Sequence, residues 1–419
     1  MSAAVKRLLV VGNGMGAVRF LEKLVEFGAE SFQVTVLSEE DLPGYNRIQL
    51  SSLLAGNCSL SDIQLQSLSW YQSNNITLLM GAEYKAVSID RNNKQVTTKV
   101  GDCFDYDELV LATGSVPNRI PVSGADLDNV IAFRTLDDVK VMQSIASGQG
   151  AVVIGGGLLG LECAAGLAAQ GLHVTVIDTM PYPMPRQLDA RAGELLKQAM
   201  EQKGVAFRCG AQLESYLGHN GTVSHVQLKS GERLSTELVV VTAGVRPDIS
   251  LAVEAGLDSG RGICVNDRMQ TSDPSITALG ECVQLGEQLF GLVAPVYSQA
   301  EIAAKRLTAR SGERFVSEPV PARLKVAGVE VFSCGRHSTD EEAGDEEIIL
   351  DAGRLGVYRK LIVNNGCLQG VLLFGDTASG SWYQTLLEEQ QNITAIRQQL
   401  IFGQEYMDSM TASIVDRAA

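Results

Sequence analysis

Two glycine-rich stretches carry the residues whose types and spacing could do chemistry. They are GNGMGA at residues 12–17 and GGGLLG at residues 155–160. Glycines at this spacing let a backbone turn tightly and approach a pyrophosphate that rests at a helix N-terminus. An acid follows each stretch roughly 20 residues later, where it can bind ribose hydroxyls. These acids are Glu39 and Asp178. The pattern predicts two dinucleotide sites, and a glycine-rich turn without a ligand is the alternative.

Asp178 also indicates which kind of dinucleotide the second site prefers. A carboxylate there accepts both ribose hydroxyls and repels a 2′-phosphate, so for a nicotinamide nucleotide we expect NADH over NADPH. Arg186, eight residues later, could pair with a 2′-phosphate. A solvated arginine is the alternative interpretation of that residue.

The cysteines and histidines provide no obvious catalytic group. No two of the eight cysteines lie closer than Cys264 and Cys282, which excludes a CxxC redox pair and a compact zinc or iron–sulfur ligand run. Cys58 is interpreted as a small structural residue, with a redox role as the alternative. None of the four histidines has a nearby partner for acid–base work. We therefore predict no catalytic side chain and no metal site.

Each glycine turn lies between a predicted strand and a predicted helix. RLLVV precedes the first turn, AVRFLEKLVEFG has helical spacing, and QVTVL is the next strand. AVVIG, LECAAGLAAQG and HVTVID repeat this order around the second turn. Each unit is followed by short strands, the first set turning at Asn92–Asn93, and by a buried strand that ends in Ala-x-Gly. The sequence thus predicts a module duplicated within one chain.

The remaining C-terminal region follows a charged, proline-containing stretch, RSGERFVSEPVPARLKV, interpreted as a linker. Beyond it we expect several strands and one long helix, SWYQTLLEEQQNITAIRQQLIFG. The residues after Gly403 are expected to be a loosely held tail.

Composition excludes several classes of protein. The net charge of −15 argues against nucleic acid or an anionic membrane as a partner. The N-terminal apolar run breaks into glycines instead of a signal-peptide core, and no apolar stretch approaches the roughly 18 residues of a membrane span. We expect a cytoplasmic protein.

GNGMGA, ATGSVP, GGGLLGLE, AGVRPD and TSDPSITALGEC occur here in the order found in flavoprotein reductases with two dinucleotide domains, which the chain therefore resembles. The resemblance implies an α/β fold with two Rossmann-like domains and a C-terminal α+β interface domain. It places FAD on residues 1–118 and 245–315, and NAD(H) on residues 119–244. The interface domain would span residues 321–403 and the tail residues 404–419.

The resemblance also implies which residues contact the FAD. The turn would line the pyrophosphate, Glu39 would hold the adenosine ribose, and Ala86 would lie near the adenine. Arg47 sits in a segment that approaches the FAD in such reductases, with a plain surface loop as the alternative. Glu281 stands where the family usually has Asp, so its longer side chain must retract. The implied FAD residues are Gly12, Gly14, Gly16, Ala17, Glu39, Arg47, Ala86, Ala112, Thr113, Gly114, Gly280 and Glu281.

For the nicotinamide nucleotide, the resemblance implies a cradle on the second turn. Glu162 would lie near the nicotinamide, and Gly244 would close the pocket from the opposite strand. The implied residues are Gly155, Gly157, Leu158, Leu159, Gly160, Glu162, Asp178 and Gly244.

A narrower resemblance points to an electron acceptor. GYNRIQLSSLLAG, MPRQLD, GLVAPVYSQA, LKVAGVEVFSCG and NITAIRQQLIFG are similar to the flavoprotein module of bacterial NADH-dependent nitrite and nitrate reductases. The segment from Pro43 to Ala55 lacks the cysteines that disulfide reductases carry there. The resemblance implies that NADH reduces FAD and that the electrons pass to a nitrate or nitrite reductase subunit, expected to be a separate protein.

Other interpretations stay open at this point. A rubredoxin or ferredoxin reductase would serve acidic acceptors, which a chain at −15 repels unless it forms a local basic face. The candidates for that face are Arg306, Arg310, Arg314, Arg323 and Lys325. A slow-turnover nucleotide-binding redox sensor is the alternative from another class. The C-terminal domain would serve partner docking or dimerisation, or complete the flavin fold, which leaves a homodimer or a hetero-complex open.

Overall fold

The computed structural model of the protein describes residues 5–310, 312–317, 322–326, 328–340, 342 and 344–408. The chain divides into two compact units, one from positions 1–118 and 244–318 and the other from positions 119–243 and 319–419. Part of the expected linker and residues 409–419 of the expected tail lie outside the described residues.

Strands and helices are numbered in chain order. The strands are β1 (Lys6–Val11), β2 (Phe32–Ser38), β3 (Ile76–Met80), β4 (Ala86–Asp90), β5 (Gln95–Thr98), β6 (Cys103–Asp105), β7 (Glu108–Leu111), β8 (Ser115–Pro117), β9 (Val130–Ala132), β10 (Gly150–Ile154), β11 (His173–Asp178), β12 (Val205–Cys209), β13 (Leu213–His219), β14 (Thr222–Leu228), β15 (Arg233–Ser235), β16 (Leu238–Val241), β17 (Val245–Pro247), β18 (Ile263–Cys264), β19 (Ile276–Ala278), β20 (Val283–Leu285), β21 (Gln288–Leu289), β22 (Ala322–Val326), β23 (Val329–Gly335), β24 (Glu346–Ala352), β25 (Val357–Asn364) and β26 (Cys367–Phe374). The helices are α1 (Met15–Phe27), α2 (Leu50–Leu54), α3 (Leu60–Ile63), α4 (Leu68–Ser73), α5 (Leu136–Ser144), α6 (Leu158–Ala169), α7 (Ala190–Glu201), α8 (Ser250–Glu254), α9 (Val293–Leu307), α10 (Gly380–Glu388) and α11 (Arg397–Leu400).

The first unit is built on a parallel sheet with the strand order β3-β2-β1-β7-β19. Val10 lies opposite Val36 on β2 and Val110 on β7, and all three side chains are fully buried. Strands buried on both faces read as continuous apolar runs, which is why RLLVV predicts this strand correctly. Burial of each such side chain contributes about 1.5 to 3 kcal/mol.

The second unit repeats this layout with a parallel sheet of order β12-β11-β10-β16-β9. The central strand, the helix after its glycine turn and the next strand are β10, α6 and β11, as the sequence predicts. The predicted α/β class with two Rossmann-like sheets is confirmed.

Small antiparallel sheets follow each of these βαβ units. β4, β5 and β6 form one of them, and the chain turns between β4 and β5 at the predicted Asn92–Asn93. β13, β14 and β15 form the equivalent sheet in the second unit.

The C-terminal part of the second unit is an antiparallel sheet of order β22-β23-β26-β25-β24, with α10 packed on one face. The prediction of one long helix after Gly380 is wrong, because α10 ends at Glu388. Gln390 adopts a left-handed conformation with φ of 49°. Ile393 then donates its N–H to the carbonyl of Gly366 at 2.8 Å and is buried. The polar run before Ile393 offers no apolar face, so the chain breaks its helix to bring Ile393 into the core.

Candidate functional site

The first glycine turn joins β1 to α1 in the first unit. Gly12 has φ of +101°, and a Cβ atom there would lie 2.3 Å from the carbonyl oxygen of Ala112. Its N–H donates to the carbonyl of Leu37 at 2.8 Å, which ties the turn to β2. Only glycine accepts this backbone conformation and this close approach.

The N-terminus of α1 offers unsatisfied backbone donors. Gly14 is its N-cap, no side chain caps the helix, and its first turn contains no acidic residue. Apart from Gly14 and its chain neighbours, no heavy atom of the described residues lies within 4 Å of where a Cβ of Gly14 would be. Gly16 faces the other way, since a Cβ there would lie 2.9 Å from Val296 of α9, and Ala17 is fully buried. The turn is therefore packed on one side and open on the other, which suits a pyrophosphate.

The two acids after β2 have different partners. Glu39 pairs with Lys85 at 2.8 Å, and both side chains are about half exposed. Glu40 accepts hydrogen bonds from Tyr45 Oη at 2.6 Å and from Arg47. The Arg47 guanidinium also lies 5.1 Å from the centre of the Tyr45 ring. Glu39 thus has only a weak, solvent-screened partner, while Arg47 is held in a local cluster.

The segment that contains Arg47 lies against the first glycine turn. A Cβ on Gly44 would be 2.5 Å from the carbonyl oxygen of Asn13 and 2.5 Å from Val18. The segment therefore packs on the first glycine turn. That Arg47 approaches the FAD stays a prediction. Ala86 begins β4 and is 8% exposed.

The strand end after β7 is tied into the same unit. Ala112 donates its N–H to Val11 at 2.8 Å, and the Thr113 hydroxyl donates to the carbonyl of Asp248 at 2.7 Å. Gly114 has φ of +71°, and its carbonyl accepts the N–H of Asp248 at 2.9 Å. These bonds bring Ala112, Thr113 and Gly114 alongside the first turn.

Gly280 and Glu281 are held by two residues that the sequence alone does not single out. The Glu281 carboxylate accepts a hydrogen bond from Ser115 Oγ at 2.6 Å. Gly280, with φ of +96°, donates its N–H at 2.8 Å to Oε1 of Gln299, a fully buried residue of α9. A glutamine at a core-facing position of an apolar helix is the signal that could have indicated Gln299.

A buried polar pair underlies the first turn and was also missed. Asn13 is 7% exposed, and its Oδ1 accepts a hydrogen bond from Tyr71 Oη at 3.0 Å. Desolvation by burial raises the pKa of Tyr71, so the phenol stays a proton donor to Asn13 at neutral pH. The hydrogen bond from Tyr71 therefore holds Asn13, and with it the glycine turn, in place.

The second glycine turn joins β10 to α6 with the same geometry. Gly155 has φ of +118°, and its N–H donates to Ile177 at 2.8 Å. A Cβ on Gly160 would lie 2.0 Å from the carbonyl oxygen of Gly155, so helix and strand meet closely only with glycine there. Gly157 caps α6 without a capping side chain. In the part of the chain that the structure describes, no atom beyond its chain neighbours lies within 4 Å of its Cβ position.

Of the other residues predicted around the second turn, three lie on α6 and one belongs to the first unit. Leu158 and Leu159 form the first turn of α6, where Leu159 is 39% exposed, and Glu162 lies one turn further along the same helix. Gly244 belongs to the first unit, where its carbonyl accepts the N–H of Asn118 at 3.0 Å.

Asp178, at the end of β11, is hydrogen-bonded to the second turn and is also a candidate residue for binding the nucleotide. Its Oδ2 accepts the N–H of Gly156 at 2.5 Å, and its Oδ1 accepts the N–H of Met180 at 2.8 Å. A carboxylate oxygen has two acceptor sites, so each oxygen keeps one for a ribose hydroxyl.

No disulfide bond joins cysteines within the described residues. All eight are free thiols. Burial, and then the nearby charge of Asp62, raises the pKa of the Cys58 thiol, which disfavours the reactive thiolate. Among the described residues, no group of three or more His, Cys, Asp and Glu side chains could hold a metal. None of the described helices combines the length and the hydropathy of a membrane span.

Comparison with known protein families covers most of the chain. Residues 6–306 match the family described as Pyridine nucleotide-disulphide oxidoreductase. Residues 319–391 match the family described as Rubredoxin NAD+ reductase C-terminal domain.

Two curated relatives come from Bacillus subtilis. The chain is 38% identical over 415 residues to a protein named NAD(P)H nitrite reductase, with 98% of this chain and 51% of that protein covered. It is 39% identical over 397 residues to the assimilatory nitrate reductase electron transfer subunit, with 94% of this chain and 51% of that protein covered. The chain thus spans about half the length of these two relatives.

Among solved structures, a ferredoxin reductase from Rhodopseudomonas palustris has a TM-score of 0.80 at 25% sequence identity. The match covers 92% of this chain and 96% of that chain.

Proposed function

The chain belongs to the pyridine nucleotide-disulphide oxidoreductase family, and we propose that it is an NADH-dependent FAD reductase that passes electrons to a redox protein. The observation that carries this proposal is the repeated cradle. Each unit has a positive-φ glycine followed by a helix N-terminus with no capping side chain and open space above its N-cap glycine.

The first unit fits FAD. The N–H groups at the start of α1 would hold the pyrophosphate, and the exposed ion pair of Glu39 leaves its carboxylate free to exchange Lys85 for ribose hydroxyls. Glu281, which Ser115 holds through a hydrogen bond, would contact the flavin side chain. When bound, FAD supplies a ring that takes a hydride from NADH and can release electrons one at a time.

The second unit fits NADH. The start of α6 would hold its pyrophosphate, and the free acceptor sites of Asp178 would bind the ribose hydroxyls. The negative charge of Asp178 would repel the 2′-phosphate of NADPH, so NADPH is the poorer substrate. No side chain is needed as nucleophile or base, which accords with the raised pKa of the Cys58 thiol.

We propose the catalytic subunit of an assimilatory nitrate or nitrite reductase as the electron acceptor and the cytoplasm as the location. The names of the two Bacillus relatives support this acceptor. Rubredoxin or ferredoxin is the second candidate, because the C-terminal domain matches that of rubredoxin reductases. The cytoplasmic location rests on the sequence alone.

An anaerobic NADH titration tests the proposal. The purified protein should be yellow with one FAD per chain, and stoichiometric NADH should bleach the flavin absorbance within the mixing time. Steady-state NADH oxidation with ferricyanide should then be rapid and continue for many turnovers, whereas a redox sensor would turn over slowly. A colourless protein that cannot be reconstituted with FAD would overturn the proposal.

A further inference from the structure

A cluster of ionisable side chains joins the C-terminal sheet to the start of α7 within the second unit. Tyr358 Oη donates a hydrogen bond to Oδ2 of Asp189 at 2.7 Å. Lys360 Nζ lies 3.7 Å from the same oxygen and 2.5 Å from Oε1 of Glu347. The Lys360 side chain is 8% exposed and that of Asp189 17% exposed.

Burial makes this cluster sensitive to the loss of any member. A buried ammonium is stable only beside carboxylates, and removal of one partner leaves the other charge uncompensated. Lys360 donates to Glu347 and holds the pKa of that carboxyl below its usual range. Burial, followed by the hydrogen bond to Asp189, raises the pKa of Tyr358, so the phenol remains a donor.

Asp189 ends the loop of residues 179–189 that follows Asp178. Its Oδ1 accepts the N–H of Ala192 at 2.9 Å and so caps α7. Tyr182 of the same loop also packs on α7, since a Cβ on Gly193 would lie 2.4 Å from its ring. The C-terminal sheet therefore holds the residue at which this loop is anchored.

The loop in turn contacts the second glycine turn. Met184, buried and with φ of +56°, donates its N–H to the carbonyl of Gly156 at 3.0 Å. Leu188 donates its N–H to Met184 at 2.9 Å, one residue before Asp189. Tyr358, through a hydrogen bond, and Lys360, through its charge, thus act on Asp189. Asp189 follows Leu188 in the loop, which is hydrogen-bonded through Met184 to the turn that Asp178 also contacts.

We propose that Tyr358 and Lys360 are positioning residues for the nicotinamide nucleotide, because they hold Asp189 and thereby hold the loop of residues 179–189 against the second glycine turn. The C-terminal domain then contributes to nucleotide affinity without touching the nucleotide. This inference rests on the proposed NADH site in the second unit.

The test compares Lys360→Met and Tyr358→Phe with a matched control, Asp351→Asn. Arg191 of α7 and Asp351 of the C-terminal sheet form an ion pair at 2.7 Å that joins the same two elements, is 44% and 40% exposed, and does not involve Asp189. Binding of NAD+ to the oxidised, FAD-loaded protein is measured by calorimetry, together with the melting temperature.

We expect the dissociation constant for NAD+ to rise about tenfold in Lys360→Met and about threefold in Tyr358→Phe, in line with a lost buried ion pair and a lost hydrogen bond. It should stay within about twofold in the control, as befits an exposed pair. KM for NADH should rise in parallel while kcat with ferricyanide and the FAD content stay close to wild type. If Lys360→Met does not fold, Tyr358→Phe decides alone.

The inference is overturned if the folded variants lose thermal stability but bind NAD+ like the wild type, because the cluster is then only structural. It is also overturned if Asp351→Asn weakens binding as much as they do. A wild-type protein that binds no nicotinamide nucleotide would instead contradict the proposed function.

Discussion

Gly12 and Gly155 occupy backbone positions where a side chain has no space. Each has a positive φ, and a Cβ at either position would lie within 3 Å of a carbonyl oxygen on a neighbouring strand end. These are the residues the sequence identifies most securely, since the turn, the strand before it and the helix after it are all local. The contacts of Asp178 with Gly156 and Met180 also lie within a short stretch of sequence. The sequence alone, however, does not show whether an acid at a strand end binds the ligand or stabilises the turn.

Gly12→Ala should abolish FAD retention. The substitution combines a strained φ with a clash 2.3 Å from the oxygen of Ala112. Gly101→Ala is the matched control, since Gly101 has φ of +92° but nothing within 4 Å of its Cβ position. We expect the control to lose about 1 to 2 kcal/mol of stability and to keep its flavin. The flavin-to-protein absorbance ratio after purification measures both, and a fully yellow Gly12→Ala protein would contradict the prediction.

Asp178→Ala should reduce the binding free energy of NADH by about 1 to 3 kcal/mol. The measured effect is a rise in KM for NADH of at least several-fold. The melting temperature should fall as well, because the N–H groups of Gly156 and Met180 lose their acceptor. Asp126→Ala, at a side chain that is 90% exposed, provides the control. Unchanged NADH kinetics in Asp178→Ala would move nucleotide selectivity to another residue, with Arg186 the next to test.

Cys58→Ser should leave NADH-to-ferricyanide activity nearly intact. Burial raises the pKa of this thiol, so at neutral pH it is protonated and a poor electron relay. The rate of ferricyanide reduction across pH 6 to 8 checks this expectation. A large loss of rate, with flavin that stays reduced, would identify a thiol relay instead.

At the scale of elements, the strand–turn–helix units could be predicted because their signals lie within about 30 residues of sequence. Contacts between distant segments could not. Ser115 meets Glu281 across 166 positions, and Gln299 reaches Gly280 from a different element. The break after α10 was missed for a related reason, since a tertiary contact of Ile393 with Gly366 overrides helical propensity.

Gln299→Met should lower the affinity of the protein for FAD, because it breaks a contact between α9 and the residue Gly280 that follows β19. The substitution keeps the apolar volume and removes the acceptor of the Gly280 N–H, which leaves a buried donor unpaired at a cost of about 1 to 3 kcal/mol. Reconstitution of the apoprotein, followed by flavin fluorescence, should give a dissociation constant for FAD raised about tenfold or more. Gln198→Met on the exposed face of α7 is the control, and equal FAD affinity in both variants would assign Gln299 to packing alone.

At the scale of the whole molecule, charge bears on the choice of acceptor. Three of the five cations proposed as a basic face already contact other residues of this protein. Arg306 is half-buried and donates to Thr277, Arg314 pairs with Asp267 at 2.8 Å, and Arg310 lies over the ring of Phe27. Of the two remaining candidates, Lys325 is exposed, and the side chain of Arg323 lies outside the described residues. With a net charge of −15, the protein offers an acidic acceptor little attraction.

The salt dependence of electron transfer should therefore distinguish the two classes of acceptor. Between ionic strengths of about 0.01 and 0.15 M the Debye length falls from about 30 Å to 8 Å, so the repulsion between two acidic proteins is progressively screened. We expect transfer from the NADH-reduced protein to an acidic rubredoxin to be slow at low salt and to accelerate as salt is added. Transfer to the metal centres of a nitrate or nitrite reductase subunit should be the faster reaction at physiological salt. Stopped-flow absorbance of the acceptor measures both rates, with ferricyanide reduction as the control for the hydride step.

Rapid rubredoxin reduction that slows with added salt, while the nitrate or nitrite reductase centres stay oxidised, would instead reveal a basic docking face and favour a rubredoxin reductase. The NADH-to-FAD step would survive that outcome, because it rests on the two glycine turns and not on the surface that meets the acceptor.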